Sequence, residues 1–252
     1  MRIASLGSGS HGNGTVIDDG DTRLLIDAGF SLKEITRRLK RIDLTPADIT
    51  AVLVTHEHAD HSHGVGPLVR KFKLPLYMTH GTHRALSPGL LPSLRLINPH
   101  QTFQIGKFVV EPVIVPHDAR EPCQFVFHHG DDSLGVLTDL GHISSFVMDR
   151  FGACDGLLLE CNHDLEMLRA GPYPGRLKRR VGGELGHLNN QQAAGLLNKA
   201  DLNRLRLLVL SHLSEVNNRP DLARDAVTPA LAGWQGQLVT AAQDQGFSWR
   251  EV

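Results

Sequence analysis

The stretch Ala51-Val52-Leu53-Val54-Thr55-His56-Glu57-His58-Ala59-Asp60-His61 decides how this chain is read. A run of apolar residues forms a short buried strand, and three imidazoles and a carboxylate follow in the loop after it. Neutral histidine nitrogens and aspartate oxygens are donors that Zn²⁺ accepts, and a catalytic site also keeps one coordination position for water. Alternation along an extended loop puts His56 and His58 on one side, within reach of a single ion. Asp60 and His61, at the turn into the next helix, can reach a second ion close by. Glu57 points away from that side and reads as surface charge.

The same device recurs along the chain. His117 follows Val113-Ile114-Val115, Asp139 follows Val136-Leu137-Thr138, and His212 follows Leu208-Val209-Leu210. Asp27 follows Leu24-Leu25-Ile26 in the same manner. Strand ends gather at one edge of a sheet, so the loops there can converge on one site. Around these positions, strands are expected at 2–6, 15–18, 23–26 and 76–79, then at 103–105, 108–115, 124–128 and 134–138, and finally at 156–159, 207–210 and 238–242. Ser31 and Glu34 make an S-x-x-E capping box before the helical spacing of Leu32, Ile35 and Leu39. Further helices are expected at 65–72, 81–86 and 222–227. Strands and helices come in two similar halves. That order suggests two mixed sheets packed face to face with helices outside, an α+β four-layer αββα sandwich, although periodicity alone supports only α/β or α+β.

With 252 residues, 41% hydrophobic and 21% charged, the chain suits one globular domain spanning 1–252. Its 26 basic and 27 acidic side chains give a net charge of −1, which excludes a global basic field for nucleic acid. Any such binding falls to local clusters: Arg37, Arg38, Lys40 and Arg41; Arg70, Lys71 and Lys73; or Arg176, Lys178, Arg179 and Arg180. The last lies in a Pro/Gly/basic stretch, 171–183, that reads as a boundary or a substrate-facing insertion. Cys123, Cys154 and Cys161 lack C-x-x-C spacing and fit a reducing compartment. No apolar leader or membrane span is seen, so a soluble cytoplasmic protein without a membrane partner is expected.

Asp27, His56-x-His58-x-Asp60-His61, His117, Asp139 and His212 resemble, in order, the five motifs of the metallo-β-lactamase superfamily. The resemblance implies the αββα fold and two divalent metal ions per chain. His56, His58 and His117 would hold the first, Asp60, His61 and His212 the second, and Asp139 would bridge them, with Asp27 supporting the ligands by hydrogen bonds. Zinc is the first expectation, and manganese or iron suits the same donors. Ser8-Gly9-Ser10-His11-Gly12-Asn13, Glu160-Cys161-Asn162-His163-Asp164 and Gly186-His187-Leu188-Asn189-Asn190 look like signatures of the YycJ-like branch, which is associated with DNA exonuclease activity. Glu160 and His187 are also similar to a pair in ribonuclease Z, where a Glu after a strand orients a His ahead of a helix.

The function this implies is a metal-dependent phosphodiesterase, a DNA exonuclease before an RNA enzyme. Asp60 and Asp139 would orient the attacking water, and His187, held by Glu160, would protonate the leaving oxygen. The Gly-rich loop at 7–14 could offer backbone N–H groups with Ser8, Ser10 and Asn13 to a phosphate, and Asn162 and His163 lie on the same edge. Rivals are a glyoxalase-II-like thioesterase, which normally carries a further helical domain, and a non-catalytic metal-binding module, which would have lost ligands. Oligomeric state has no signature in the sequence.

Overall fold

Period-two pleating gives each strand two faces, and here both faces are apolar, so each sheet must be covered twice. In the computed structural model, which describes residues 1–86, 89 and 91–252, the chain meets that demand with four layers. The first half carries β1 (Arg2–Gly7), β2 (Gly14–Asp18), β3 (Arg23–Ile26), α1 (Leu32–Leu39), β4 (Ala51–Leu53), α2 (Ala59–Ser62), α3 (Val65–Phe72), β5 (Leu76–Thr79), α4 (His80–Leu86) and β6 (Leu94–Ile97). The second half carries β7 (Phe103–Ile105), β8 (Phe108–Ile114), β9 (Cys123–His129), β10 (Asp132–Leu137), α5 (Ser145–Phe151), β11 (Gly156–Glu160), α6 (Leu165–Ala170), α7 (Gly175–Val181), α8 (Asn190–Leu197), β12 (Leu207–Ser211), α9 (Pro220–Val227), β13 (Gln237–Thr240) and β14 (Phe247–Glu251). Among the described residues they form two seven-stranded sheets, ordered β14-β1-β2-β3-β4-β5-β6 and β13-β12-β11-β10-β9-β8-β7.

Alternate residues of single strands go to different cores. Leu24 and Ile26 of β3 and Leu53 of β4 meet Phe108, Phe125, Phe127, Leu158 and Val209 between the sheets. Leu25 and Val52 face the other way, onto Ile35 and Leu39 of α1 and Leu68 and Val69 of α3. In the second sheet Leu157, Leu159, Leu208 and Leu210 turn outward onto Val147 and Phe151 of α5, Leu196 and Leu197 of α8, and Val227 of α9. This is the expected αββα sandwich.

Local chemistry sets several boundaries. Asn189 caps α8 with a complete capping box, its side chain accepting from Gln192 N while Gln192 returns to Asn189 N. The box expected at α1 is only half made. Ser31 caps Glu34 N, but the Glu34 carboxylate turns to Arg37 and Arg38 instead of the Ser31 backbone, because charge-assisted bonds win. The sequence reading did not single out β6, α5 or β14. β14 pairs with β1, Arg2 opposite Glu251, so the far end of the chain completes the first sheet. The 171–183 stretch contains α7, which buries none of its residues. All three cysteines are unpaired and buried, and burial pushes their thiols upward. Among the described residues no helix is long and apolar enough to cross a membrane.

Candidate active site and metal centre

The parallel strands β3, β4, β10, β11 and β12 deliver their following residues to one edge of the sandwich. Asp27 follows β3, Asp139 lies just past β10, Glu160 ends β11, and His212 follows β12. Asp27, Asp139 and His212 all have left-handed backbones, with φ of 61°, 55° and 53°. This turn reverses the chain at the sheet edge, and Asp and His tolerate it better than branched residues do. The ligand loop is clamped against the β3 turn: Asn13 N and Ala28 N donate to the Asp60 and His61 carbonyls at 2.8 Å each. A Cβ on Gly29 would stand 1.7 Å from the Asp60 carbonyl oxygen, so only glycine fits there.

Second partners orient each imidazole. Asp27 Oδ1 accepts from Thr55 N at 2.9 Å, and its Oδ2 lies 2.7 Å from His61 Nδ1. A carboxylate so close places the proton on Nδ1 and turns the His61 Nε2 lone pair inward. The Thr55 hydroxyl donates to Asp27 and lies 3.0 Å from His56 Nδ1, so it can accept from that ring in turn. His117 Nδ1 sits 3.0 Å from the Gly186 carbonyl, which frees its Nε2 in the same way.

The inward atoms form two adjoining groups. His56, His58 and His117 bring donor atoms within 4.8 Å of one another, and Asp60, His61 and His212 do the same. Asp139 stands between them, Oδ2 3.3 Å from His61 Nε2 and Oδ1 3.5 Å from His212 Nε2 and 4.0 Å from His117 Nε2. The residues fit metal ions on an observation independent of pattern: among the described residues, the buried His56 Nε2 and Asp139 Oδ2 have no hydrogen-bond partner. A fold leaves such atoms bare at a cost of about 1–3 kcal/mol each unless something else satisfies them. Charge agrees. Burial and the neighbouring His61 charge keep His56 well below the usual histidine range, and burial likewise lowers His117. Burial works against the Asp139 and Asp60 carboxylates, yet the histidines around them hold Asp139 well below its ordinary value and Asp60 at about 2. His61 differs. Burial opposes its charge, but Asp139, Asp60 and Asp27 lift it well above the usual range, so its ring is where a cation would replace a proton.

Beside this centre His187 Nδ1 lies 2.8 Å from Glu160 Oε1, and Glu160 Oε2 accepts from Leu188 N at 2.9 Å and Leu140 N at 3.2 Å. Burial lowers the His187 imidazole, while Glu160, with Asp139 and Asp60 behind it, more than reverses this and pushes it up to about 9. Its ring stacks on His212 with centroids 5.3 Å apart. Donor atoms of Asp139, Glu160, His187 and His212 also lie within 4.8 Å of each other, so His187 is in coordination range as well as proton-transfer range.

The residues expected to meet phosphate are placed differently from one another. Ser10 is exposed. Ser8 is buried and its hydroxyl accepts from His212 N at 2.9 Å. Asn13 is buried, accepts from Gly9 N, and directs its amide at Asp60 Oδ2, 3.3 Å away. The Asn162 amide donates to the His212 carbonyl. His163 is buried with neither ring nitrogen hydrogen-bonded among the described residues, and burial drops it to about 4. Ser8 and Asn162 thus bond the backbone of His212, whereas the Asn13 amide faces the donor atoms themselves, 3.1 Å from His61 Nε2.

Residues 22–213 match the model of the β-lactamase superfamily domain. The chain belongs to the metallo-β-lactamase superfamily. Within it, the chain is 38% identical over 238 residues to exodeoxyribonuclease WalJ of Streptococcus pneumoniae, covering 92% of this chain and 88% of that protein. It is 35% identical over 237 residues to exodeoxyribonuclease YycJ of Bacillus anthracis, covering 92% and 89%. The crystal structure of the metallo-β-lactamase fold protein YhfI from Bacillus subtilis superposes with a TM-score of 0.77 at 20% identity, over 100% of this chain and 99% of that one, which shows a shared fold.

This superfamily member also has site residues to which sequence reasoning gave no role. Thr55 ties Asp27 to His56. Asp118 lies 3.6 Å from His117 Nε2 and 4.0 Å from His58 Nε2, and its other oxygen accepts from Arg180. Asp118 is adjacent to a ligand in the chain and could have been flagged for that alone; nothing in spacing connects it to Arg180, sixty-two positions on.

Proposed function

We propose that the protein is a dinuclear-metal-dependent phosphodiesterase that removes nucleotides from DNA, with Zn²⁺, Mn²⁺ or Fe as its ions. Its membership of the superfamily and its likeness over nine-tenths of its length to two exodeoxyribonucleases support this reading. The observation that carries it is the Glu160–His187 pair standing beside two adjoining donor groups. His56, His58 and His117 would hold one ion and Asp60, His61 and His212 the other, with Asp139 shared. Bound cations supply charge that offsets a phosphodiester's own and lowers the pKa of the attacking water. Asp60 and Asp139, both held in the ionised form, would orient that water by accepting hydrogen bonds from it. His187 in its imidazolium form would deliver a proton to the leaving oxygen, while Glu160, fixed by two backbone N–H groups, holds the ring in line.

A thioesterase would need the same donors but gains less from an imidazolium, because a thiolate leaves without protonation. The test is hydrolysis of end-labelled DNA and RNA beside S-lactoylglutathione, with Zn²⁺ and Mn²⁺ each supplied. DNA shortened from its ends, with RNA cut more slowly and the thioester intact, is the expected result. Thioester turnover without nucleic-acid cleavage would overturn the proposal.

A further inference from the structure

Helices usually hold their place by a buried apolar face, and α7 offers only Leu177 and Val181, both half-buried. Its sequence is Gly-Arg-Leu-Lys-Arg-Arg-Val and no residue in it is buried. Lys178 Nζ donates to the Arg169 carbonyl of α6 at 2.7 Å, and the other polar attachments lead to the active site. His187 N donates to the Val181 carbonyl at 2.8 Å, so the loop that carries His187 also holds the end of α7. A Cβ on Gly186 would stand 2.2 Å from both the Arg180 and Val181 carbonyl oxygens, so that loop and α7 are in close apposition. The Asp118 backbone joins the same cluster through Leu185, donating to its carbonyl at 2.9 Å.

Arg180 leans from α7 toward the metal donors. Its Nε donates to Asp118 Oδ2, and Asp118 Oδ1 lies 3.6 Å from His117 Nε2. Among the described residues the two terminal nitrogens of Arg180 have no hydrogen-bond partner, and the side chain is 56% exposed. Asp118, by bond and by charge, holds the guanidinium above its ordinary pKa, and Asp60 adds to this from across the site. A guanidinium pinned at Nε presents the remaining N–H groups as a fixed fork, the geometry that takes two oxygens of a phosphate. Arg176 is one turn earlier on the same helix and exposed, extending the positive surface away from the centre. Because the whole chain carries only −1, a local device of this kind is needed to hold a polyanion.

We propose that Arg180, aimed by Asp118, grips a non-bridging oxygen of the backbone phosphate next to the one that is cut. The neighbouring phosphate is the target because Asp118 stands between Arg180 and the His58 and His117 donors, so the fork reaches past the cleaved bond and not onto it. This deepens the nuclease reading: it makes α7 the element that requires a strand of nucleic acid instead of an isolated diester.

The test compares wild type, Arg180→Ala, Arg180→Lys and Lys107→Ala on an end-labelled oligonucleotide and on bis-p-nitrophenyl phosphate, which has no second phosphate. Binding of a fluorescent oligonucleotide is measured by anisotropy across a salt series, in a His187→Ala background that slows cleavage. Arg180→Ala is expected to keep its metal content and to lose about 10-fold or more in kcat/KM on the oligonucleotide beyond any loss on the small diester. Its slope of log affinity against log salt should become shallower by about one. Arg180→Lys should keep the slope but recover little affinity, since an ammonium cannot hold Asp118 and phosphate in one plane. Lys107→Ala removes one charge at the remote β7–β8 turn and should leave cleavage and affinity as in wild type. Equal losses on both substrates, loss of metal, or an unchanged salt slope would overturn the role of Arg180 while leaving the nuclease reading intact. Wild-type protein that cleaves no oligonucleotide yet binds it through Arg180 would overturn the nuclease reading alone.

Discussion

Replacing Asp27 by Asn removes one charge and one acceptor while keeping the shape and the left-handed backbone, φ 61°, that Ala would strain. The aspartate serves two sets of donors at once: Oδ1 takes Thr55 N at 2.9 Å and Oδ2 faces His61 Nδ1 at 2.7 Å. An amide has a single oxygen for these two places. The Thr55 contact is to backbone and cannot yield, so the NH₂ group must face His61. Two donors at that separation repel, and the ring escapes by changing tautomer, which moves its proton to Nε2. That nitrogen lies 3.3 Å from both Asp60 Oδ2 and Asp139 Oδ2, where a metal donor is needed, so the variant silences His61 as a ligand. Losing a ligand's orienting partner costs roughly 10–100-fold in metal affinity, and breaking the buried charged contact costs the fold about 1–3 kcal/mol. Competition with a chromogenic chelator is the assay, with urea unfolding of the metal-free protein alongside. Wild type is expected to take about two ions per chain. Asp27→Asn should bind one ion with affinity close to wild type and the other 10–100-fold more weakly. Two ions bound with wild-type affinity would refute the tautomer argument and reduce Asp27 to a turn residue.

His187→Ala should keep both metals and slow DNA cleavage by roughly 10²-fold or more, but slow bis-p-nitrophenyl phosphate far less, because p-nitrophenolate leaves without a proton; loss of metal would make the residue a ligand. In wild type the proton-donor form is complete at low pH and is lost as pH rises through a value at or below about 9, since cations in the site disfavour the imidazolium, so the rate should fall on that limb and Glu160→Gln should move the limb lower. At α1, bonds from Arg37 and Arg38 outweigh burial and hold Glu34 at about 2 against 4.5. A depressed carboxylate stabilises the fold above its unfolded pKa and loses that contribution as pH falls through its folded one. The gap in urea midpoint between wild type and Glu34→Gln should therefore be widest near pH 6 and close between about pH 4.5 and 2; a gap independent of pH would mean the ion pairs contribute nothing.

The sequence was most informative where function and strand ends coincide. An apolar run followed by His or Asp can be seen in one dimension, and sheet geometry then brings such ends together, which is why Asp27, His56, His117, Asp139 and His212 are legible in the sequence. β14 escaped because only Phe247 and Trp249 alternate in it, and what makes it a strand is a partner at the other end of the chain. Residue type alone marks Ser8, Asn13 and Asn162 as polar groups at the active edge, while their hydrogen bonds to His212 and Asp60 depend on packing that composition does not encode.

Backbone conformation is the remaining illegible layer, and it carries a functional statement of its own. Among the described residues, five that are not glycine have left-handed φ: Asp27, Asp43, Lys73, Asp139 and His212. Asp43 and Lys73 are ordinary helix ends, capping the 3₁₀ turn after α1 and the last turn of α3. The other three all follow strands at the metal edge. Each costs about 1–2 kcal/mol that glycine would avoid. Glycine takes the same left-handed region without that cost at Gly106 and Gly130. Side chains kept against that cost, at Asp139 and His212 among the candidate donors and at Asp27 beside His61, tie backbone strain to the candidate site, whereas Asp43 and Lys73 carry the same φ only to end helices.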